Sequence, residues 1–185
     1  MQEYQDILSF RNAVRRDASA LKMSSYFCAS HKVKMNQKYF EDLQLGDHDQ
    51  TAGRTITEAD IVNFAGLSGD FNPIHMDQVF AEKTFFKKRI AHGILVFSIA
   101  SGLFTQSEMN TFLKKSVIAL MEIKWKFLKP VFIGDTIHLE VEIIEKKETS
   151  KPDRGIIVIK RRVLNQDGNA VQEGDVIMMI RRRSE

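Results

Sequence analysis

Gly93-Ile-Leu-Val-Phe-Ser-Ile-Ala-Ser-Gly-Leu-Phe104 is the longest apolar run in the chain. It is too short to span a bilayer. Extended by Thr105 and Gln106, it is apolar nearly all round, the pattern of a helix enclosed by other structure. The C-terminal half of the chain has a different pattern. "VIALMEIKWKFLKPV", "DTIHLEVEIIEKKE", "GIIVIKRRVLN" and "AVQEGDVIMMIRRR" alternate or run apolar and are rich in β-branched residues. Gly134-Asp135 and Asn165-Gln-Asp-Gly168 mark turns between them, and "SKPDRG" reads as a longer loop. One long helix followed by four strands predicts an α+β fold, an antiparallel meander wrapped around a central helix.

Working back towards the N-terminus, "TEADIVNFAGLSG" reads as a helix. Thr57 is its N-cap, Asp60 partly completes a capping box, and Gly69 stops it. "DQVFAEKTFF" predicts a second short helix, while "KYFEDLQLGD" and "HDQTAGRTI" suggest a strand pair turning at Gly46-Asp47. Residues 1–37 form an extension. Tyr4, Ile7, Leu8, Val14, Ala18 and Leu21 recur at roughly helical spacing, and "MSSYFCASHKVKMNQ" reads as a linker. Arginines and serines there fit a mitochondrial presequence, but Glu3, Asp6 and Asp17 count against one. Residues 38–185 form the remaining domain.

Composition narrows the function classes. The 185 residues are 43% apolar and 28% charged, ordinary for a soluble globular protein. A net charge of +3 is a weak argument for nucleic acid binding, and neither it nor a membrane is an expected partner. Cys28 is the only cysteine, so no intrachain disulfide can form and a reducing, cytoplasmic location is expected, or the mitochondrial matrix if residues 1–37 include a targeting segment.

Between the helices, "SGDFNPIH" holds Asp70, Asn72 and His75 around Pro73. On a helix, Asp70 and His75 would stand about 140° apart. Pro73 biases Asn72 towards extended geometry and Gly69 permits a sharp entry, so the segment reads as a shaped loop that turns both side chains to one point. A carboxylate and an imidazole sharing one water make a general acid/base pair near neutral pH, and the Asn72 amide could orient either partner or the substrate. Gly93 stands where the apolar helix begins, with free N–H groups and the positive dipole end suited to a carbonyl oxygen gaining negative charge. Water activation plus an oxyanion site suggests reversible hydration of an alkene conjugated to a carbonyl. Plainer roles compete: Asp70 and Asn72 as turn caps, His75 as a structural histidine, Gly93 as a packing glycine. His92 reads as a helix cap without chemistry, and His31, His48 and His138 have no metal-ligand spacing. Cys28 and Ser68 carry no sign of activation.

The run "FAGLSGDFNPIHMDQVFA", Phe64 to Ala81, closely resembles the hydratase 2 motif of the MaoC-like (R)-specific enoyl-CoA hydratases. "AHGIL" and "FLKPVFIGDTI" resemble that family's helix start and its following strand and turn, so the resemblance covers about residues 38–183. It implies a hot-dog fold, usually a homodimer, that hydrates trans-2-enoyl-CoA to (3R)-3-hydroxyacyl-CoA without a further cofactor or metal; coenzyme A or an acyl-carrier protein is part of the substrate. By motif position it implies Asp70 and His75 as the catalytic pair, Asn72 as an assisting amide and Gly93 as the oxyanion N–H. Lys87, Lys88 and Arg89 are candidate phosphate contacts for such a substrate. A hot-dog thioesterase and a non-catalytic acyl-thioester-binding module are the alternatives.

Overall fold

The computed structural model describes residues 37–183. The helix expected over part of residues 1–36 lies outside the described residues. Four long strands dominate: β3 (Val117–Phe127), β4 (Thr136–Glu148), β5 (Arg154–Leu164) and β6 (Ala170–Arg181). The expected meander holds for β4, β5 and β6, which pair antiparallel in sequence order. It fails for β3, which pairs with β6 at the far edge, not with β4. The link from β3 to β4, containing Pro130 and the Gly134 turn, is too long for a tight hairpin and lets the chain cross to the opposite edge. The expected strand pair near residue 46 is also corrected. Phe40–Asp42 is a 3₁₀ turn, and two short strands, β1 (His48–Gln50) and β2 (Arg54–Thr55), each pair with β4 instead of with each other.

The apolar run is helix α4 (Gly93–Thr105). One face, including Leu95, Val96, Ile99, Ala100 and Leu103, is buried in the main core with Leu139, Val141, Ile157, Ile159 and Val176 of the sheet. The opposite face is not enclosed: Ile94 is 55% exposed, and Phe97 and Ser101 border open space. A five-strand path curling around one helix therefore leaves a groove between α4 and the edge strand β3. Edge strand and groove are apolar together, since Ile118, Leu120, Met121, Ile123 and Phe127 of β3 are all substantially exposed.

Before α4 come α1 (Glu58–Ser68), α2 (Pro73–Met76) and α3 (Gln78–Glu82); α5 (Glu108–Leu113) comes after it. The α1 caps match the reading of the sequence. Thr57 and Asp60 form a full capping box, and Gly69 ends the helix at φ 76°, a left-handed position that glycine adopts without strain. Among the described residues no helix is long and apolar enough to cross a membrane.

Candidate active site

The segment from Ser68 to His75 is held by its own polar groups. The Ser68 hydroxyl donates to the Phe64 carbonyl at 2.7 Å and accepts from the Asp70 N–H at 3.2 Å. Asp70 Oδ1 accepts from the Asn72 N–H at 3.3 Å. Asn72 Oδ1 in turn accepts from the Ile74 N–H at 3.2 Å, capping α2. Here the reading of the segment as a loop throughout is corrected. Pro73 sits in the first turn of a four-residue helix, where its missing N–H costs nothing, and His75 lies in that helix. The extended bias that Pro73 imposes falls on Asn72, outside the helix, so Asp70 escapes helical geometry and can meet His75.

They do meet. Asp70, His75 and His92 each offer a ligand atom within 4.8 Å of the other two. His75 Nδ1 lies 2.8 Å from the Ile90 carbonyl. A carbonyl only accepts, so Nδ1 carries the hydrogen and Nε2 is left as the acceptor of the neutral ring. Burial lowers the His75 pKa below its ordinary 6.5, with the nearby His92 adding to this, while the Ile90 carbonyl and Asp70 act the other way.

His92 stands at the N-cap position of α4 as expected, but its side chain makes no cap hydrogen bond and has another part. Its ring is buried, with Nε2 2.9 Å from the Asp70 carbonyl oxygen, tying the start of α4 to the Asp70 turn. It also packs between His75, ring centroids 3.9 Å apart, and Phe64, 5.0 Å away. Ring-nitrogen lone pairs lie in the ring plane, so two nearly stacked imidazoles do not converge head-on on one ion. The contact is one of packed rings, each held by its own backbone carbonyl, His75 by Ile90 and His92 by Asp70.

Gly93 is the first residue of α4, and its N–H has no backbone acceptor among the described residues. Its carbonyl accepts from Gln172 Nε2 at 2.9 Å, and Gln172 Oε1 accepts from the Trp125 indole N–H at 2.9 Å. A Cβ on Gly93 would lie 2.8 Å from the Phe127 ring, so the close approach requires glycine. Gly93 and His75 border one cavity of about 520 Å³, otherwise mostly apolar, with Phe127, Leu128 and Val131 among its walls. Asp70 and Asn72 are exposed and are not among its lining residues; Asp70 reaches the site through its approach to the His75 ring.

Of the three basic residues singled out in the sequence, Lys87 and Lys88 are exposed. Arg89 is not a free cation: its two terminal nitrogens fork onto the Glu58 carboxylate at 2.7 and 2.6 Å. That pair fastens α1 to the segment leading into α4 and occupies the Arg89 guanidinium. The parts played by His92 and Gln172 are not evident in the sequence. A glutamine in the same inward register as Val176, Met178 and Ile180 is the visible signal for the second.

Residues 43–161 match the model of the MaoC like domain. An (R)-specific enoyl-CoA hydratase of Rhodospirillum rubrum is 36% identical over 77% of this chain and 91% of its own length. Protein MaoC of Klebsiella aerogenes is 43% identical over 64% of this chain, which spans only a third of that protein. Among solved structures, a monoamine oxidase regulatory protein of Archaeoglobus superposes with a TM-score of 0.75 at 42% identity, covering 80% of this chain and 97% of that one. The chain belongs to the MaoC-like dehydratase family and has the hot-dog fold.

Proposed function

We propose that this protein is an (R)-specific enoyl-CoA hydratase, adding water reversibly to trans-2-enoyl thioesters of coenzyme A or an acyl-carrier protein. The observation that carries this is one apolar cavity bordered by both a neutral imidazole acceptor and an unpaired helix-start N–H, with the Asp70 carboxylate beside the imidazole. Asp70 and His75 Nε2 hold one water above C3 of the substrate. As the Asp70–His75 pair takes up one water proton, the water oxygen bonds to C3 and the C2–C3 π pair shifts towards the thioester, whose oxygen becomes enolate-like. The Gly93 N–H, at the positive end of α4, stabilises that oxygen more in the transition state than before it. A proton is then delivered to C2 from the same face, giving the 3-hydroxyacyl thioester by net syn addition. Asp70 and His75 share the proton traffic as a coupled pair. Asn72 keeps its amide oxygen on the α2 cap and so fixes the distance between them.

The same reading includes a homodimer. Among the described residues, strand β3 has one unpaired edge, eleven residues long, and exposed apolar side chains that a second copy would cover. Sedimentation at low micromolar concentration is expected to give a dimer or a multiple of it.

Incubation with crotonyl-CoA tests the function. Loss of the enoyl absorbance with formation of (3R)-3-hydroxybutyryl-CoA supports it. Release of free coenzyme A thiol would instead indicate a thioesterase, and binding without turnover a non-catalytic module.

A further inference from the structure

Arg161 is the most anomalous buried group outside the site described above. It lies in the middle of β5, between Ile159 and Val163 on the inward face of the sheet, and is 5% exposed. Its guanidinium stacks over the Phe104 ring at 3.9 Å, a favourable contact for a cation but no substitute for an anion. Nε is buried without a hydrogen-bond partner, and no described carboxylate pairs with the side chain. Burial alone lowers its pKa to about 10, so it remains charged at neutral pH. A buried guanidinium without an anion is strongly unfavourable unless something supplies one.

The space it faces is a cavity of about 350 Å³. Phe97, Ser101 and Phe104 of α4 form one wall, Ile123 and Val176 of the sheet another, and exposed Lys114 a third. Two cations and no acidic side chain border it. This cavity lies farther along the same face of α4 as the one at Gly93. Residues 93, 94, 97, 101, 104 and 105 recur every three or four positions along one face of α4. Phe97, which lines the far cavity, makes an edge contact with Trp125, ring centroids 4.8 Å apart. Across the sheet, Arg161 and Trp125 both pair with Gly174, which places no side chain between them.

We infer that the far cavity binds the terminal carboxylate of the acyl chain, and that the substrates served best are thioesters of medium-chain α,ω-dicarboxylic acids. This rests on the hydratase reading of the near cavity. Phe104 lies eleven residues beyond Gly93, about 16 Å along the helix. Allowing about 3 Å for a hydrogen bond at each end leaves about 10 Å. Bonds of about 1.52 Å at about 111° advance the chain by about 1.25 Å each, so a chain of about ten carbons spans the groove.

The test compares kcat/KM for trans-2-decenedioyl-CoA, which carries the terminal carboxylate, with that for methyl-ended trans-2-decenoyl-CoA. The unchanged protein should prefer the first by on the order of tenfold to a hundredfold. In Arg161→Leu or Arg161→Gln that ratio should fall to one or below; the comparison in the unchanged protein stands even if neither variant folds. A ratio of one or less with both substrates hydrated overturns the inference, leaving Arg161 to a carboxylate of the chain itself or of a second copy. Hydration of crotonyl-CoA but of neither ten-carbon substrate also overturns it. If crotonyl-CoA is not hydrated either, the hydratase reading fails, and equilibrium binding of the saturated pair decides the pocket separately. Tighter binding of sebacyl-CoA than decanoyl-CoA supports the carboxylate site, and equal or weaker binding overturns it.

Discussion

The two ends of the groove along α4 solve opposite electrostatic problems. At the Gly93 end, the protein provides a partial positive charge from backbone, beside a histidine kept neutral by burial and a carboxylate left in solvent. At the Phe104 end, it buries a full positive charge with no carboxylate beside it among the described residues. A helix-start N–H stabilises charge that develops during a reaction, whereas a buried guanidinium needs charge that is present already. On the proposed reading, one end serves chemistry and the other recognition.

The largest effects should come from the first end. Asp70→Asn and His75→Gln should each fold normally and lose on the order of a thousandfold or more in crotonyl-CoA turnover, by steady-state kinetics. Near-normal turnover in either would break the distinction between the ends at its base.

Gly93 comes next, and the structure changes how it must be tested. Any side chain there strikes Phe127, so Gly93→Ala confounds crowding with chemistry. Gly93→Pro in a Phe127→Ala background, compared with Phe127→Ala alone, isolates the N–H. A donor of this kind is worth about 3–4 kcal/mol, so turnover should fall roughly a hundredfold to a thousandfold with dimerisation intact. An unchanged rate would make Gly93 a packing residue.

Gln172 sharpens the comparison, because it ties the Gly93 carbonyl to Trp125, which packs against Phe97 of the far cavity. Gln172→Leu leaves the indole N–H unpaired and should destabilise the fold by about 1–3 kcal/mol in denaturant titration. Turnover should fall less than with Gly93→Pro.

The smallest effect is in pH. With its pKa below 6.5 in the folded protein, His75 resists protonation, so the acid limb of kcat/KM should lie below pH 6.5. The unfolded chain takes up that proton first. The stabilising contribution of neutral His75 is thus present above pH 6.5 and is lost as pH falls through the folded pKa. An acid limb at or above 6.5 would count against His75 as the titrating base.

The first end of the groove is largely legible in the sequence because its information is local. Thr57, Asp60, Gly69, Asn72 and Pro73 fix their backbone through neighbours within a few residues, so type and spacing announce the turn. The return of β3 to pair with β6, by contrast, depends on a crossover no local pattern encodes. His92 acts through contacts 17 and 22 residues away, with His75 and Asp70, and Gln172 through one 79 residues away. Arg161 shows the limit most clearly. In "KRR" it reads as part of a solvated face, and its neighbours Lys160 and Arg162 are indeed less buried, but strand alternation turns the middle cation inward.

The central claim is that Asp70 and His75 activate one shared water. Crotonyl-CoA hydration by the Asp70→Asn/His75→Gln double variant, measured beside both single variants, tests it most directly. If each substitution removes the same activated water, the double variant should be within a few-fold of the worse single variant. A loss equal to the product of the two single losses would show that the residues act independently, and would contradict the account.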